Sequence, residues 1–335
     1  MVTLICEIQI TTSSGTLAFY SAAEIEIERT WNTLTNTAKI TLPRKIGRLQ
    51  GDITKLLKAG DRVVIKTGYD VKLTIEFVGY IREVTAAVPV VIHCEDAMWH
   101  LKQLPSIEKG KTNAWRNLTL GVLTSRLVGT KYQIQTQNTA LGAYRLTEKT
   151  IAKELQKLKE QTGLMAYFRF DEAGNEILTV GERYPLAWAN DPTKMVAYHF
   201  QKNIIENSLS FKRKDDIKIK AKGIIKIPNG KDKTIEIGDD FGETHTVHYN
   251  NMPEAAARQL LEKDLERMKY TGYHGSFTTF GEPFAEHGFV AHLSDIEYPE
   301  RAGNYYIDKV VICWGNGGYR REITLGSQAG TIIPI

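Results

Sequence analysis

Between Val71 and Ile81 every second residue is apolar or glycine: Val71, Leu73, Ile75, Phe77, Gly79 and Ile81, with Lys72, Thr74 and Glu76 between them. A period of two over that length describes a strand with one face in a core and the other in water, a pattern no helix satisfies. Ile25 and Ile27 repeat the period, as do Ala38, Ile40 and Leu42. Gly60-Asp61 turns the chain into Val63-Val64-Ile65, and Gly68-Tyr69-Asp70 separates that run from the long one as a hairpin loop. Val90-Val91-Ile92 adds a further strand. Strands spaced this closely predict a small antiparallel barrel or sandwich over the first hundred residues. Residues 52–58 leave room for one helical turn.

The middle of the chain changes period. Residues 114–127 read as a helix, with Trp115, Leu118 and Val122 on one face and Gly129 as its stop. Residues 147–162 read as a clearer one. Ile151, Leu155 and Leu158 fall three or four apart, Lys and Glu fill the other face, Thr147 is the expected N-cap and Gly163 the expected stop. A hairpin follows over 165–180, turning at Asp171-Glu172-Ala173-Gly174-Asn175. The last third returns to strands around one helix that starts at Pro253, carries Leu260, Leu261, Leu265 and Met268 as its apolar stripe, and ends by Gly272. Strands are expected over 289–293, 305–313 and 319–325, the last two joined at Gly315-Asn316-Gly317-Gly318.

At 335 residues the chain has room for two or three domains and for a core that needs no staple. The expected fold class is mainly β with α+β: two antiparallel β-barrel-like domains plus a smaller α+β module. The expected domains are 1–104, 105–203 and 204–335, with strands over 204–227 available to complete the first barrel. Gly60-Asp61-Arg62-Val63-Val64 and Phe77-Val78-Gly79-Tyr80-Ile81 are echoed by Gly288-Phe289-Val290 and Asn304-Tyr305-Tyr306-Ile307 at a similar spacing, which permits two related barrels. No apolar run approaches the length of a membrane span, and the first twenty residues lack the pattern of a secretory signal. Three scattered cysteines, Cys6, Cys94 and Cys313, fit a reducing compartment.

No cluster selects a catalytic or metal chemistry. His93-Cys94-Glu95-Asp96 is dense in ligand types, but on a strand only alternate members share a face, and a zinc site needs three or four converging groups. The simpler reading is a strand ending in an Asp-capped turn, with Cys94 in the core and Met98, Trp99 and Leu101 packing behind it. His245 and His248 face opposite ways on a strand. Gly110-Lys111-Thr112 has Pro105 where a phosphate-binding loop needs glycine. Glu24, Glu26 and Glu28 alternate with Ile25 and Ile27 as a solvated face does, and nothing pairs them for two-carboxylate hydrolysis.

Charge singles out one segment. Residues 212–233 hold Lys212, Arg213, Lys214, Lys218, Lys220, Lys222, Lys226, Lys231 and Lys233 against Asp215, Asp216 and Asp232, a net +6 within a chain of net +4. Lys218, Lys220, Lys222 and Lys226 line up as a basic row. The row either meets phosphates or an acidic partner surface, or it is a solvated face or a guarded edge strand; the second reading is the simpler. Stacking recognition of nucleic acid needs interleaved aromatics, and only Phe211 lies near.

Two stretches carry a resemblance. Ala59-Gly60-Asp61-Arg62-Val63-Val64-Ile65-Lys66-Thr67-Gly68-Tyr69, then Phe77-Val78-Gly79-Tyr80-Ile81, then Val91-Ile92-His93-Cys94-Glu95-Asp96 resemble the N-terminal barrel of phage baseplate hub proteins of the late control protein D family. Thr150-Ile151-Ala152-Lys153-Glu154-Leu155, Gln161-Thr162-Gly163-Leu164 and Tyr167-Phe168 resemble that family's middle module. The match covers roughly 55–185, and the last third fits only in general character. The family is similar to the base of type VI secretion spike proteins. The resemblance implies a structural homotrimer whose two barrels per chain give a ring of six similar units between a three-fold spike and a six-fold tail tube. It implies tail tube and central spike partners, no cofactor, no metal, no catalytic residue, no membrane insertion, and DNA only in transit through the channel. It also implies synthesis in the bacterial cytoplasm and residence in a virion tail baseplate. Two rivals remain: a carbohydrate- or cell-surface-binding β module using Tyr69, Trp188 or Trp314, and a peptidoglycan hydrolase.

Overall fold

The computed structural model describes residues 2–43, 53–85, 88–137, 139–184, 191–227, 231–250 and 253–329. The chain is mainly β. It begins with β1 (Leu4–Thr12), β2 (Gly15–Phe19), β3 (Glu24–Thr30), β4 (Thr37–Leu42), the turn of helix α1 (Ile53–Leu56), β5 (Arg62–Tyr69), β6 (Lys72–Val84) and β7 (Val90–Glu95). After the short α2 (Met98–Leu101) comes an α+β module: β8 (Ala114–Thr119), α3 (Leu120–Val128), β9 (Gln133–Thr136), β10 (Ala140–Arg145), α4 (Ile151–Thr162), β11 (Met165–Phe170) and β12 (Glu176–Gly181). The rest holds β13 (Met195–His199), β14 (Ile204–Asn207), β15 (Ser210–Lys212), β16 (Ile219–Lys226), β17 (Lys233–Gly238), β18 (Glu243–Asn250), α5 (Glu254–Met268), β19 (Gly272–His274), β20 (Ser276–Phe280), β21 (Val290–Ser294), β22 (Gly303–Gly315) and β23 (Gly318–Gln328).

Thirteen strands form one sheet in the order β14-β20-β23-β22-β3-β4-β7-β6-β5-β1-β2, with β21 on β22 and β13 on β21. One strand pattern occurs in it twice. The first copy runs β3-β4-β7-β6-β5 and the second β14-β20-β23-β22-β21, and the registers agree at the centre of each pairing. Arg62 opposes Tyr80 as Val290 opposes Tyr306. Ile81 opposes Cys94 as Ile307 opposes Leu325, and each ladder then slips by one residue before Glu83 meets His93 and Lys309 meets Thr324. Ile40 opposes Ile92 as Phe277 opposes Ile323. The echo in the sequence is therefore a structural repeat. Its glycines show why it is legible: Gly60 and Gly288 have φ of 94° and 91°, open only to glycine at low cost, and each donates its N–H to the equivalent carbonyl, Ile81 and Ile307, at 2.8 Å.

The copies have the same polarity. From β3 to β6 the direction reverses three times, so β6 runs against β3; β22 also runs against β3. The two copies are thus joined head to tail by β22 on β3, Lys309 opposite Thr30 through Gly315 opposite Glu24. The strand that extends the first copy from the far end of the chain is β22. Residues 204–227, offered for that place by the sequence, go elsewhere: β14 pairs with β20, and β16 lies in a separate sheet. One core, including Ile8, Ile27, Ile40, Phe77, Ile92, Phe277, Ile312 and Ile323, runs beneath both copies. Fully burying side chains of this size stabilises by about 1.5–3 kcal/mol each.

Three local expectations need correction. Residues 114–119 are strand β8, not helix; Thr119 is extended and α3 starts at Leu120, whose stripe is Leu120, Leu123 and Leu127, while Val122 is exposed. Thr150, not Thr147, caps α4, accepting from the Lys153 N–H, while Gly163 ends it in the left-handed region as expected. In α5 the buried residues are Ala257 and Leu261, Leu260 faces out, and the helix stops at Met268. The hairpins β11–β12 and β22–β23 stand where the sequence puts them.

Candidate functional site

The β16–β18 sheet and α5 form a small unit with its own core of Ala221, Ile225, Ile235, Tyr249, Ala257 and Leu261. The lysine row stands on its central strand. Because β16 has β17 on one side and β18 on the other, the guarded-edge reading fails: the strand has no free edge to guard. Alternation sends Ala221 and Ile225 beneath α5 and the lysines to the opposite face. There they meet carboxylates. Lys220 and Lys222 lie 2.8 and 3.6 Å from Glu236, which sits on β17 opposite Lys222, and Lys218 lies 3.9 Å from Asp239. Glu236 holds the Lys220 ammonium above its ordinary pKa through its hydrogen bond and charge. The side chain of Lys226 lies outside the described residues.

The strongest electrostatics are buried, and the sequence reading missed them. Glu286 takes Arg29 of β3 on one oxygen and Arg169 of β11 on the other, so one carboxylate ties the first copy, the α+β module and the second copy together. Burial alone would raise the Glu286 carboxyl, but Arg169 and Arg29 outweigh it and hold it down at about 2. His287 beside it is driven down to about 3 by burial and by the Arg29 charge, so it is neutral. Its ring packs edge-on to Trp31 and Tyr167 at 5.7 and 4.8 Å. A second pair joins Glu76 of β6 to Arg321 of β23 at 2.7 Å, both fully buried. Tyr319 donates to the same carboxylate at 2.6 Å, and Arg321 also donates to the carbonyls of Gly281 and Ala285. Burial opposes the Arg321 charge, but Glu76 overcomes it and raises the guanidinium above its usual pKa.

These groups are structural in geometry. The void beside Arg29 measures about 10 Å³, room for one water and no substrate. A signal for them existed: Arg29 continues the core register of Ile25 and Ile27, and Arg321 stands between Tyr319 and Ile323 on the inward face. Glu76 hides its signal better. The alternation that placed it in water breaks at Glu76 itself, the extra residue where the β5–β6 ladder steps from Ile65 opposite Phe77 to Lys66 opposite Ile75. Glu76 turns inward with Phe77 and Val78.

The other candidates are separate. Cys94 is buried, and Asp96 accepts the N–H groups of Met98 and Asn36 at 3.0 and 2.9 Å, the capped turn expected. Burial outweighs those two N–H groups and raises the Asp96 carboxyl to about 7. Glu24 and Glu26 face solvent, and Glu28 pairs with Lys309 at 2.7 Å. With Lys39, Arg82 and His93, Glu26 and Glu28 line an open groove on the polar side of the sheet. Lys111 pairs with Glu108 at 2.6 Å. Among the described residues no three His, Cys, Asp or Glu converge as a metal would need, and no helix is long and apolar enough to cross a membrane. Of the aromatics proposed for sugar stacking, Trp314 is buried, Tyr69 is half-buried against Tyr319, and Trp188 lies outside the described residues.

No family model and no curated protein matches the sequence. Solved structures do match the fold. A tail protein from Neisseria meningitidis MC58 superposes with a TM-score of 0.65 over 96% of both chains at 12% identity. The 43 kDa tail protein of prophage MuSo2 from Shewanella oneidensis gives 0.61 over 98% of this chain and 100% of that one at 13% identity. The chain has a phage tail protein fold. The same fold extends to an Escherichia coli component of the type VI secretion system described as similar to the bacteriophage T4 tail proteins gp27 and gp5. That protein gives a TM-score of 0.56 over 94% of this chain and 76% of that one at 8% identity. The sequence resemblance to hub proteins and to the base of secretion spikes thus has its counterpart in three dimensions.

Proposed function

We propose that this protein is a structural hub subunit of a phage tail baseplate or a related injection machine. It assembles as a homotrimer around a channel, between a three-fold spike and a six-fold tube. The observation that carries this reading is the head-to-tail duplication. Two copies of one strand pattern, alike in polarity and joined by β22 on β3, are related by a rotation. A heterologous joint of this kind propagates, and it closes when the rotation divides a full turn. Three chains of two copies then give six similar positions. Tail tube and spike proteins are the partners on this reading, DNA passes only through the channel, and the virion tail is the residence. The working division remains 1–104, 105–203 and 204–335. On this reading the chain has no catalytic part, and the basic row, already occupied by Glu236 and Asp239, is a partner-facing face at most.

Light scattering coupled to size-exclusion chromatography, at low and high salt, tests the assembly. Three times the 37.8 kDa chain mass is expected, with rings in negative stain. A strict monomer at high concentration, with no ring when spike and tube proteins are added, would sink the reading.

A further inference from the structure

The β22·β3 joint uses one side of each copy. Among the described residues the opposite sides have no strand beside them. On the first copy, β5 parts from β6 where Asp61 accepts the Ile81 N–H, so β6 has a bare edge from Arg82 to Thr85. On the second copy, β14 pairs with β20 alone and β15 with β19 alone, and both follow one register, Asn207 opposite Phe277 and Ser210 opposite His274. These two bare edges are the equivalents of the two edges that meet within the chain: β6 corresponds to β22, and β14 with β15 corresponds to β3. We infer that they meet between chains, β6 of one copy lying antiparallel on β14–β15 of the next.

The repeat fixes the register. Lys309 opposes Thr30 and Val310 opposes Arg29 in the internal joint. Counting across to the other edges puts Glu83 opposite Lys212 and Val84 opposite Phe211. Neither pairing was chosen, yet both are complementary: an acid meets a base and an apolar side chain meets an aromatic one, the combinations that cross-strand neighbours favour. All four are available. Glu83 is 63% exposed with Arg82 at 3.7 Å, Lys212 and Phe211 are exposed, and Val84 is half-buried.

A second equivalence agrees with the first. Across the internal joint the β5–β6 hairpin of the first copy reaches onto the second: the Tyr69 hydroxyl donates to the Tyr319 carbonyl at 3.1 Å, and Glu76 is buried against Arg321. The corresponding loop of the second copy, residues 295–302, has no such cover. Ile296 is 69% exposed, and the Arg301 guanidinium lies 4.0 Å from the Tyr298 ring and 5.2 Å from the Phe211 ring, which sets the loop beside the β15 edge. Counting places Val88 of the neighbouring chain where Tyr319 stands in the internal contact, and Val88 is 68% exposed. An Ile-Tyr-Arg-Phe surface is the composition that anchors interfaces. The occupant of this face is therefore a second copy of this chain, by continuity with the joint already inside it.

The inference rests on the ring reading but fails separately from it. In a Cys313→Ser background, which removes the exposed native cysteine, Glu83→Cys with Lys212→Cys should form dimer and trimer bands on a non-reducing gel after mild oxidation, and neither single cysteine should. Glu83→Lys and Lys212→Glu should each weaken the trimer at low salt by roughly tenfold, and the doubly reversed chain should recover it. A trimer by light scattering that neither cross-links nor responds to the reversals overturns this joint and leaves the ring. A wild-type monomer under every condition overturns both.

Discussion

The two copies of the strand pattern agree in order, register, bulge and turn glycine, and differ in what interrupts them. In the first copy, β3 passes to β4 through residues 31–36. In the second, β14 passes to β20 through 208–275, an excursion that runs out along β15, builds the β16–β18 sheet with α5, and returns along β19. The short turn carries Trp31 and Asn36, which tie it to the α+β module: Lys159 donates to the carbonyls of Trp31 and Asn32, and Asn36 donates to that of Phe168. The long one carries the basic row. The lesson is a division of labour. The strand pattern is kept in both copies, and the connection is free to grow where it leaves that pattern, beyond β15 and β19.

The largest effect should come from breaking the frame at the pair linking the copies. Arg321→Met leaves Glu76 buried without its cation, and should cost about 3–5 kcal/mol in chemical denaturation. Adding Glu76→Leu should recover most of it, and a double variant no better than the single one would refute that account. Acid should come next. His287 has its folded pKa depressed to about 3 from 6.5, so its share of stability is lost as pH falls through that window, where the unfolded state binds the extra proton. Glu286 is depressed to about 2 from 4.5, so its share is present above 4.5 and lost as pH falls towards 2. Melting temperature should therefore start to drop near pH 6 and fall faster below 4.5, and His287→Phe should flatten the upper part of the curve only.

Smaller effects test the connections. Lys218 and Lys269 both bind Asp239, at 3.9 and 2.6 Å, so the ends of the excursion meet. Replacing residues 219–268 by a short Gly-Ser link should leave the melting of the frame within a few degrees and the trimer intact. Loss of the frame would make the excursion part of the repeat after all. Smallest of all, Glu236→Gln should barely move the melting temperature, since ion pairs on a solvated face are screened by water, and a large drop would show that the row is structural.

Most of the frame was legible because a period of two and glycines with a forced turn survive without context. Gly60, Gly288 and the alternation around Ile81 give away both copies. What stayed hidden depends on distance. Glu76 reads as a solvated residue until the bulge in the β5–β6 ladder turns it towards Arg321, 245 positions on. The lysines of β16 read as an edge guard because no local pattern reveals that β18 returns in parallel beside them. Trp115 and Leu118 fit a helical stripe as well as a strand, and only the pairing with β10 decides.

The seam between the copies also sets an order in time. β3 lies among the first thirty residues, yet the strand that completes it begins at Gly303. A ribosome must deliver everything up to β22 before that edge can be covered, so the seam is the last part of the frame to close. Until then no growing chain carries a finished pattern for another to copy. Chains stalled before residue 303 should accordingly leave the β3 amides open to hydrogen exchange, and release of β22 and β23 should protect them. Assembly would thus begin only from chains that have already made the β22–β23 hairpin.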